Sequence, residues 1–126
     1  MTSLLLDTHT LIWALENNPT LSEAARSAII DGRNTVFVSA VSVWEISIKR
    51  ALGKLDVPDN LLEEIEAHRF TPLEISLQHG DAAGKLPAIH QDPFDRMLIA
   101  QAQLEGLVLV TRDQHIPKYA VQCLPA

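Results

Sequence analysis

The sequence contains a single cysteine, Cys123, so no disulfide can form within the chain. A chain without disulfides is typical of a reducing compartment, and we expect the protein to lie in the cytoplasm. Long apolar runs are also missing. Asp7 and His9 interrupt the first run early, and no stretch reaches the ~18 uncharged residues that a membrane span needs. The sequence therefore predicts neither a signal peptide nor a transmembrane helix.

Glycine and proline are scarce, at 5 and 7 residues, and they follow no period, which excludes collagen-like and other fibrous classes. The apolar fraction of 47% provides ample material for a buried core and argues against disorder. A chain of 126 residues is expected to form one domain, because two smaller ones would each bury too little surface. We therefore treat residues 1–126 as a single domain.

Positive charge is in short supply. Ten Lys and Arg residues stand against 16 Asp and Glu residues, which gives a net charge of −6. Phosphate contacts need local positive charge, so this balance argues against a protein that binds nucleic acid. Any such function requires another source of positive charge.

Short apolar runs alternate with amphipathic segments along the chain. The runs Ser3–Leu6, Thr35–Ser39 and Leu107–Val110 predict strands. Two segments predict long helices, Val41–Leu52 and the stretch from the capping pair Asp92-Pro93 to Glu105. The remaining predicted elements are helices at Thr10–Glu16, Glu23–Ile30, Asn60–His68 and Gln78–Lys85, and strands at Pro72–Ile75 and near Val121. Strands separated by helices predict an α/β fold with a central, mostly parallel sheet flanked by helices.

Two predicted strands are followed by an aspartate. The run that ends at Leu6 leads directly into Asp7, and the run that ends at Val110 leads through two residues to Asp113. Ligands in open α/β sheets bind beyond the carboxyl ends of the strands, so both carboxylates are expected at the same rim. The alternative is structural, because aspartate also ends strands and caps helices. That alternative stays open for Asp7, which is followed by Thr8.

Glu45 is the third candidate carboxylate. The apolar residues of its helix suggest a buried stripe, and Glu45 lies about 60° from the centre of this stripe, at its edge. This predicted stripe consists of Val41, Trp44, Ile48 and Leu52. A carboxylate at that edge borders the core, although a salt bridge to Lys49 one turn later would equally explain it.

Asp95 is the fourth candidate, in the first turn of a helix that is apolar almost all round and is therefore expected to be buried. It shares a face with Ile99 and Ala102. A capping role is the alternative, but Asp92 already suits the cap. We therefore assign Asp92 to capping and Asp95 to chemistry.

Carboxylates gathered at one rim raise each other's pKa and need a compensating cation. Oxygen ligands without cysteine or paired histidine favour Mg²⁺ or Mn²⁺ over zinc. The corresponding chemistry is phosphodiester hydrolysis, in which the metal activates a water and stabilises charge on the phosphoryl group. The metal would also supply the positive charge that the sequence lacks. Candidate basic residues around the rim are Lys49, Arg50, Lys54, Arg96 and Arg112, whereas His9, His79 and His90 receive no role.

Four segments, in order along nearly the whole chain, combine these acids with characteristic neighbours: Leu4–His9, Ser42–Lys49, Asp92–Ala100 and Leu109–Asp113. Together they resemble the PIN-domain ribonucleases, specifically the VapC-type toxins of bacterial toxin–antitoxin pairs. The resemblance implies a three-layer α/β/α PIN fold, Mg²⁺- or Mn²⁺-dependent endoribonuclease activity on RNA, a homodimer, and a cognate antitoxin that blocks the site.

The resemblance also assigns residues. The acidic positions of the family map onto Asp7, Glu45, Asp95 and Asp113 as catalytic metal ligands. In the resulting hypothesis the first three hold one ion directly, and Asp113 completes the site directly or through water. Small hydroxyl residues near the metal map onto Thr8 and Thr111, and Asp92 is an additional acid.

Three other functions remain as alternatives. Phosphatases that form an aspartyl phosphate need Asp-x-Asp after the first strand, and Asp7-Thr8-His9 lacks the second acid. Signalling receiver domains need adjacent acids there and a lysine after the last strand, where this chain has Thr111-Arg112-Asp113. The third alternative is a non-catalytic binding domain in which the acids only cap helices.

Overall fold

The computed structural model describes all 126 residues as one five-stranded parallel sheet with helices on both faces. The strands are β1 (Ser3–Leu6), β2 (Thr35–Ser39), β3 (Thr71–Leu73), β4 (Val108–Thr111) and β5 (Cys123–Pro125). The helices are α1 (Thr8–Glu16), α2 (Glu23–Ile30), α3 (Ala40–Ala51), α4 (Leu61–Ala67), α5 (Leu77–Lys85) and α6 (Pro93–Glu105), with a 3₁₀ turn at Ile116–Lys118. The predicted α/β class with a parallel sheet is confirmed.

The strand order is β3-β2-β1-β4-β5, and every neighbouring pair is parallel. Strand β1 pairs with β2 on one side and with β4 on the other. The pairing of β1 with β4 places Leu6 beside Val110. The strand order therefore reverses beside β1. Open α/β sheets bind their ligands at such a switch point, beyond the carboxyl ends of the strands.

Both faces of the sheet are covered, which explains why the strand sequences are almost continuously apolar. Successive side chains of a strand point to opposite faces. Leu4 and Leu6 pack into a core with α1, α2 and α4, whereas Leu5 packs into a second core with α6. All three leucines are fully buried, so β1 is held at the centre of the molecule.

Helix α6 begins and ends as its sequence predicts. The Asp92 side chain accepts hydrogen bonds from the backbone N–H groups of Phe94 and Asp95, and Pro93 is the first helical residue. Gly106 ends the helix at φ 67°, in the left-handed region that favours glycine. None of the helices combines the length and apolar character that crossing a lipid bilayer would require.

The predicted buried stripe of α3 is correct for Val41, which is buried, but wrong for Trp44 and Leu52. Trp44 is 59% exposed and Leu52 is 63% exposed, whereas the buried face carries Val41, Ser42, Glu45 and Ile46. The Trp44 ring packs edge-on against Phe94 at the surface, 5.3 Å between centroids. Polar side chains can replace apolar ones inside when they are hydrogen-bonded, and Glu45 is so bonded. Glu45 thus lies within the buried face and not at its edge.

Candidate active site

A cleft of about 390 Å³ opens at the carboxyl ends of β1 and β4, at the switch point of the sheet. The four predicted carboxylates all line it, and Asp92 joins them, so five acids share one opening. The lining residues are Asp7, Thr8, His9, Trp13, Glu45, Lys49, His90, Asp92, Asp95, Arg112 and Asp113. The fold therefore brings the four predicted carboxylates together in one cleft, although they come from distant parts of the sequence.

Asp7 is held between β1 and α1. Its Oδ1 accepts a hydrogen bond of 2.9 Å from the backbone N–H of Thr10 and so caps α1. Its Oδ2 accepts a hydrogen bond of 2.6 Å from the Thr111 hydroxyl, which in turn accepts the backbone N–H of Asp113. The capping alternative for Asp7 is thus correct in itself, yet the same carboxylate also faces the cleft.

Glu45 is only 4% exposed and has a hydrogen-bond donor on each oxygen. The Thr8 hydroxyl donates to Oε1 at 2.6 Å, and Lys49 Nζ donates to Oε2 at 2.5 Å. The hydrogen bond to Glu45 raises the pKa of Lys49 above its ordinary value. The predicted salt bridge therefore exists, and it lies inside the cleft.

His90 links the two remaining acids, and sequence reasoning gave it no role. Its Nε2 lies 2.9 Å from Oδ2 of Asp95 and 3.2 Å from Oδ2 of Asp113. The backbone N–H of Asp92 points at His90 Nδ1 from 3.5 Å, which leaves the proton on Nε2 to be shared by the two carboxylates. The available signal was proximity, because His90 lies two residues before the cap of the helix that carries Asp95.

Burial and repulsion among the acids act together on Asp95. Burial, followed by the charges of Asp92 and Asp7, raises the pKa of Asp95 to about 7. Partial burial also pushes the pKa of Asp113 upward, but the backbone N–H of His115 and the adjacent His90 outweigh it and hold this pKa below its ordinary value. The nearby positive charge therefore does not offset the effect of burial and of the neighbouring acids on the pKa of Asp95.

The donor set fits a hard divalent cation. Asp95 and Asp113 offer one ligand atom each, and His90 would offer a third within 4.8 Å of them if its Nε2 proton were released. Asp7 and Glu45 add carboxylate oxygens to the same cleft. Oxygen-rich sites with at most one imidazole suit Mg²⁺ or Mn²⁺ better than zinc, and a cation would relieve the repulsion at Asp95.

Of the five basic residues considered for the rim, only Lys49 and Arg112 line the cleft. The guanidinium of Arg96 instead donates to four backbone oxygens, those of Ala83, Leu86, Pro87 and His90. Arg50 donates to the Pro58 carbonyl, and Lys54 is exposed outside the cleft. The predicted basic ring is therefore wrong for these three residues.

His79 and His9, which were also left without a role, lie in different places. His79 is buried, completes a capping box with Ser76 at the start of α5, and contacts Glu105 through Nε2 at 2.9 Å. This pattern joins α5 to α6 and is structural. His9 is exposed and lines the cleft.

A larger cavity of about 570 Å³ lies at the opposite ends of the strands, beside Thr35 and Thr71, the first residues of β2 and β3. Asp31 is its one lining carboxylate, and it is paired with Arg33. A hydrogen bond from Arg33 lowers the pKa of Asp31 to about 2. This cavity therefore has neither the acid cluster nor the position expected for the chemistry.

Residues 4–122 match the PIN domain family. The chain belongs to the PIN-domain family. This PIN domain is 31% identical over 124 residues to Ribonuclease VapC22 of Mycobacterium tuberculosis. The alignment covers 92% of this chain and 91% of the relative. The resemblance to VapC-type PIN-domain proteins found in the sequence is thus confirmed.

Solved structures share the fold of this PIN domain. VapBC2 from Rickettsia felis, bound to a DNA fragment from its promoter, aligns with a TM-score of 0.71 at 15% identity and covers 98% of both chains. DNA-bound VapBC from Salmonella typhimurium aligns with a TM-score of 0.71 at 22% identity, again over 98% of both chains. The predicted PIN-like three-layer fold is confirmed.

Proposed function

We propose that this PIN domain is a divalent-metal-dependent endoribonuclease and the toxin of a toxin–antitoxin pair. The observation that carries the proposal is the cleft at the ends of β1 and β4, where five carboxylates face two cationic side chains. Such an excess of buried and half-buried negative charge is unfavourable without a bound cation. The 31% identity to Ribonuclease VapC22 supports RNA as the substrate class.

In this proposal Asp7, Glu45 and Asp95 would hold one Mg²⁺ or Mn²⁺ ion, and Asp113 would complete the set directly or through water. The donor chemistry described above supports this assignment. When bound, such an ion supplies Lewis acidity, which makes water more acidic and stabilises negative charge on a phosphoryl group.

The protein's own side chains prepare the site for the reaction. The hydroxyl groups of Thr8 and Thr111 fix the carboxylates of Glu45 and Asp7 by hydrogen bonds of 2.6 Å each. Side chains held in this way need little reorganisation when the reaction begins. A carboxylate of the cleft, Glu45 or Asp95, orients the attacking water and accepts its proton.

The proposed partners follow the family. Similarity to VapBC structures supports a cognate antitoxin, whose basic side chain would satisfy the same carboxylates that otherwise face a cation. We also propose a homodimer, as in the family resemblance, and a cytoplasmic location. The single free thiol of Cys123 is compatible with a reducing compartment, and burial raises its pKa, which makes the thiol less reactive.

The test is cleavage of total RNA by the purified full-length chain with Mg²⁺ or with chelator. Asp7→Asn and Asp95→Asn should abolish cleavage, whereas Asp59→Asn, a matched change at an exposed acid outside the cleft, should not. Cleavage that persists in chelator and in Asp7→Asn would contradict the proposal.

Thermal denaturation separates this proposal from a non-catalytic binding domain. That alternative has one observation in its favour, because Asp7 and Asp92 do cap α1 and α6. A divalent ion bound to the native state raises the melting temperature. Mg²⁺ or Mn²⁺ should therefore stabilise the wild-type chain and Asp59→Asn but not Asp95→Asn, and a uniform absence of stabilisation would favour the capping role.

A further inference from the structure

One wall of the cleft carries three flat side chains that the proposed hydrolysis does not use. His9 and Trp13 lie one turn apart on α1, with ring centroids 6.1 Å apart and planes inclined by 45°. The guanidinium carbon of Arg112 lies over the Trp13 ring, 4.6 Å from its centroid. His9 and Arg112 are exposed, Trp13 is half-buried, and all three line the cleft. We call this group the aromatic shelf.

Arg112 is the cation of the cleft that pairs with no Asp or Glu side chain. Its Nε and Nη2 donate to the backbone oxygens of Ala126 and Thr20, which holds the guanidinium carbon over the Trp13 ring. No side chain neutralises its charge, and Nη1 makes no hydrogen bond within the chain. Lys49, in contrast, is already paired with Glu45. Arg112 therefore keeps one donor nitrogen, Nη1, for a ligand.

The shelf adjoins the proposed reaction centre. Arg112 lies in sequence between Thr111, which holds Asp7, and Asp113. Trp13 follows Asp7 by six residues, about 9 Å along the axis of α1 at 1.5 Å per residue. A ligand whose phosphate reaches the carboxylates would thus have its neighbouring groups beside these flat side chains.

The charge of the cleft limits how RNA can bind there. Five carboxylates against Lys49 and Arg112 repel a polyanion, so phosphate contacts alone are a poor source of affinity. Stacking of a base on an aromatic ring or a guanidinium plane does not need net positive charge. A shelf of His9, Trp13 and Arg112 supplies that kind of contact.

We propose that the aromatic shelf stacks an unpaired nucleobase next to the scissile phosphate, and that Arg112 Nη1 contacts the adjoining phosphate. The inference rests on the proposed ribonuclease function and adds to it a base-binding position beside the cleavage site, formed by His9, Trp13 and Arg112. In a duplex each base is stacked between its neighbours, so its faces are not free for the shelf. Double-stranded RNA is therefore rejected.

Fluorescence tests the stacking directly, because Trp13 and Trp44 are the only two tryptophans. In the double variant Trp44→Phe/Asp95→Asn, Trp13 is the sole tryptophan and cleavage is prevented. A six-nucleotide single-stranded RNA should quench its emission, and the same sequence in a duplex should not. The matched control is Trp13→Phe/Asp95→Asn, in which the remaining Trp44 lies outside the cleft and its emission should stay unchanged.

Cleavage kinetics provide the second measurement. A stacked base contributes about 5- to 150-fold in affinity, the equivalent of 1–3 kcal/mol. Trp13→Leu retains an apolar contact with the core but loses the flat face, so kcat/KM on single-stranded RNA should fall within that range. Trp44→Leu, a matched change outside the cleft, should leave kcat/KM unchanged. A substrate with an abasic nucleotide beside the cut site should be cut equally slowly by wild type and Trp13→Leu.

The outcomes separate the two proposals. Mg²⁺-dependent cleavage by the wild type without quenching of Trp13 would overturn the shelf and leave the nuclease intact. Equal quenching by duplex RNA would overturn the single-strand requirement. Quenching by single strands without any cleavage by the wild type would overturn the nuclease, and with it the position assigned to the base.

Discussion

Replacing Asp95 by asparagine is expected to stabilise the metal-free protein at neutral and alkaline pH. Asp95 has a pKa of about 7 in the folded chain against 3.8 in an ordinary setting, because of burial and the charges of Asp92 and Asp7. An acid with a raised folded-state pKa binds its proton more tightly when folded. Its contribution to stability is therefore fully present below about pH 4 and is lost as the pH rises through 7.

The size of this loss follows from the pKa difference. At about 1.36 kcal/mol for each pKa step of one, the whole change is worth about 4 kcal/mol, of which about 2 to 3 kcal/mol falls between pH 5 and pH 8. Asparagine has the same shape as aspartate, and its carbonyl oxygen can accept the hydrogen bond from His90, but it does not ionise. For a domain of this length, the loss of about 2 to 3 kcal/mol between pH 5 and pH 8 corresponds to about 10 °C in melting temperature.

The assay is thermal or urea denaturation in chelator at pH 5, 6, 7 and 8, with wild type, Asp95→Asn and the exposed control Asp59→Asn. The gap between Asp95→Asn and wild type should widen with pH, and Asp59→Asn should follow the wild type. Addition of Mg²⁺ should close the gap by stabilising the wild type alone. A gap that is independent of pH, or an Asp95→Asn variant less stable than wild type at pH 8, would refute the electrostatic reasoning.

Three further changes test the hydrogen bonds of the cleft. Lys49→Met leaves the buried Glu45 carboxylate without its cation and should cost about 1–3 kcal/mol in urea denaturation; an unchanged midpoint would show that the ion pair is immaterial. His90→Ala should weaken Mg²⁺ binding by about tenfold or more in calorimetric titration, because two carboxylates lose their shared donor, whereas unaltered affinity would make His90 a bystander. Thr111→Val removes the donor to Asp7 and should lower both stability, by about 1–2 kcal/mol, and Mg²⁺ affinity; normal values of both would contradict its assigned role.

The fold was predictable where local signals agree with burial. Strand β1 is a run of apolar residues because both faces of the sheet are covered, and α6 carries its own cap, its proline and its terminal glycine. The predicted bounds Ser3–Leu6, Thr35–Ser39 and Glu23–Ile30 agree with the structure to the residue. Most other predicted elements differ from the observed ones by one or two residues at an end, and the last strand begins at Cys123.

The features that were not predictable depend on contacts between distant segments. The buried face of α3 was misassigned because the buried Glu45 and Ser42 have a hydrogen-bond partner in the Thr8 hydroxyl, which belongs to another helix. Helical periodicity gives such a polar pair no reason to lie inside. His90 was missed for a similar reason, because no periodic element contains it and its neighbours Asp95 and Asp113 are brought together only by the folded sheet.

The hydrogen bonds of Arg96 have a consequence for how the site can move. The Arg96 guanidinium, on α6, donates to backbone oxygens along the segment that leads from the end of α5 through Pro87 to His90. His90 and Asp95 therefore belong to the same rigid body, and their spacing is set within a single short stretch of chain. Substitutions at Ala88, Ile89 or Gln91, which do not line the cleft, are therefore expected to leave the distance between His90 and Asp95 unchanged.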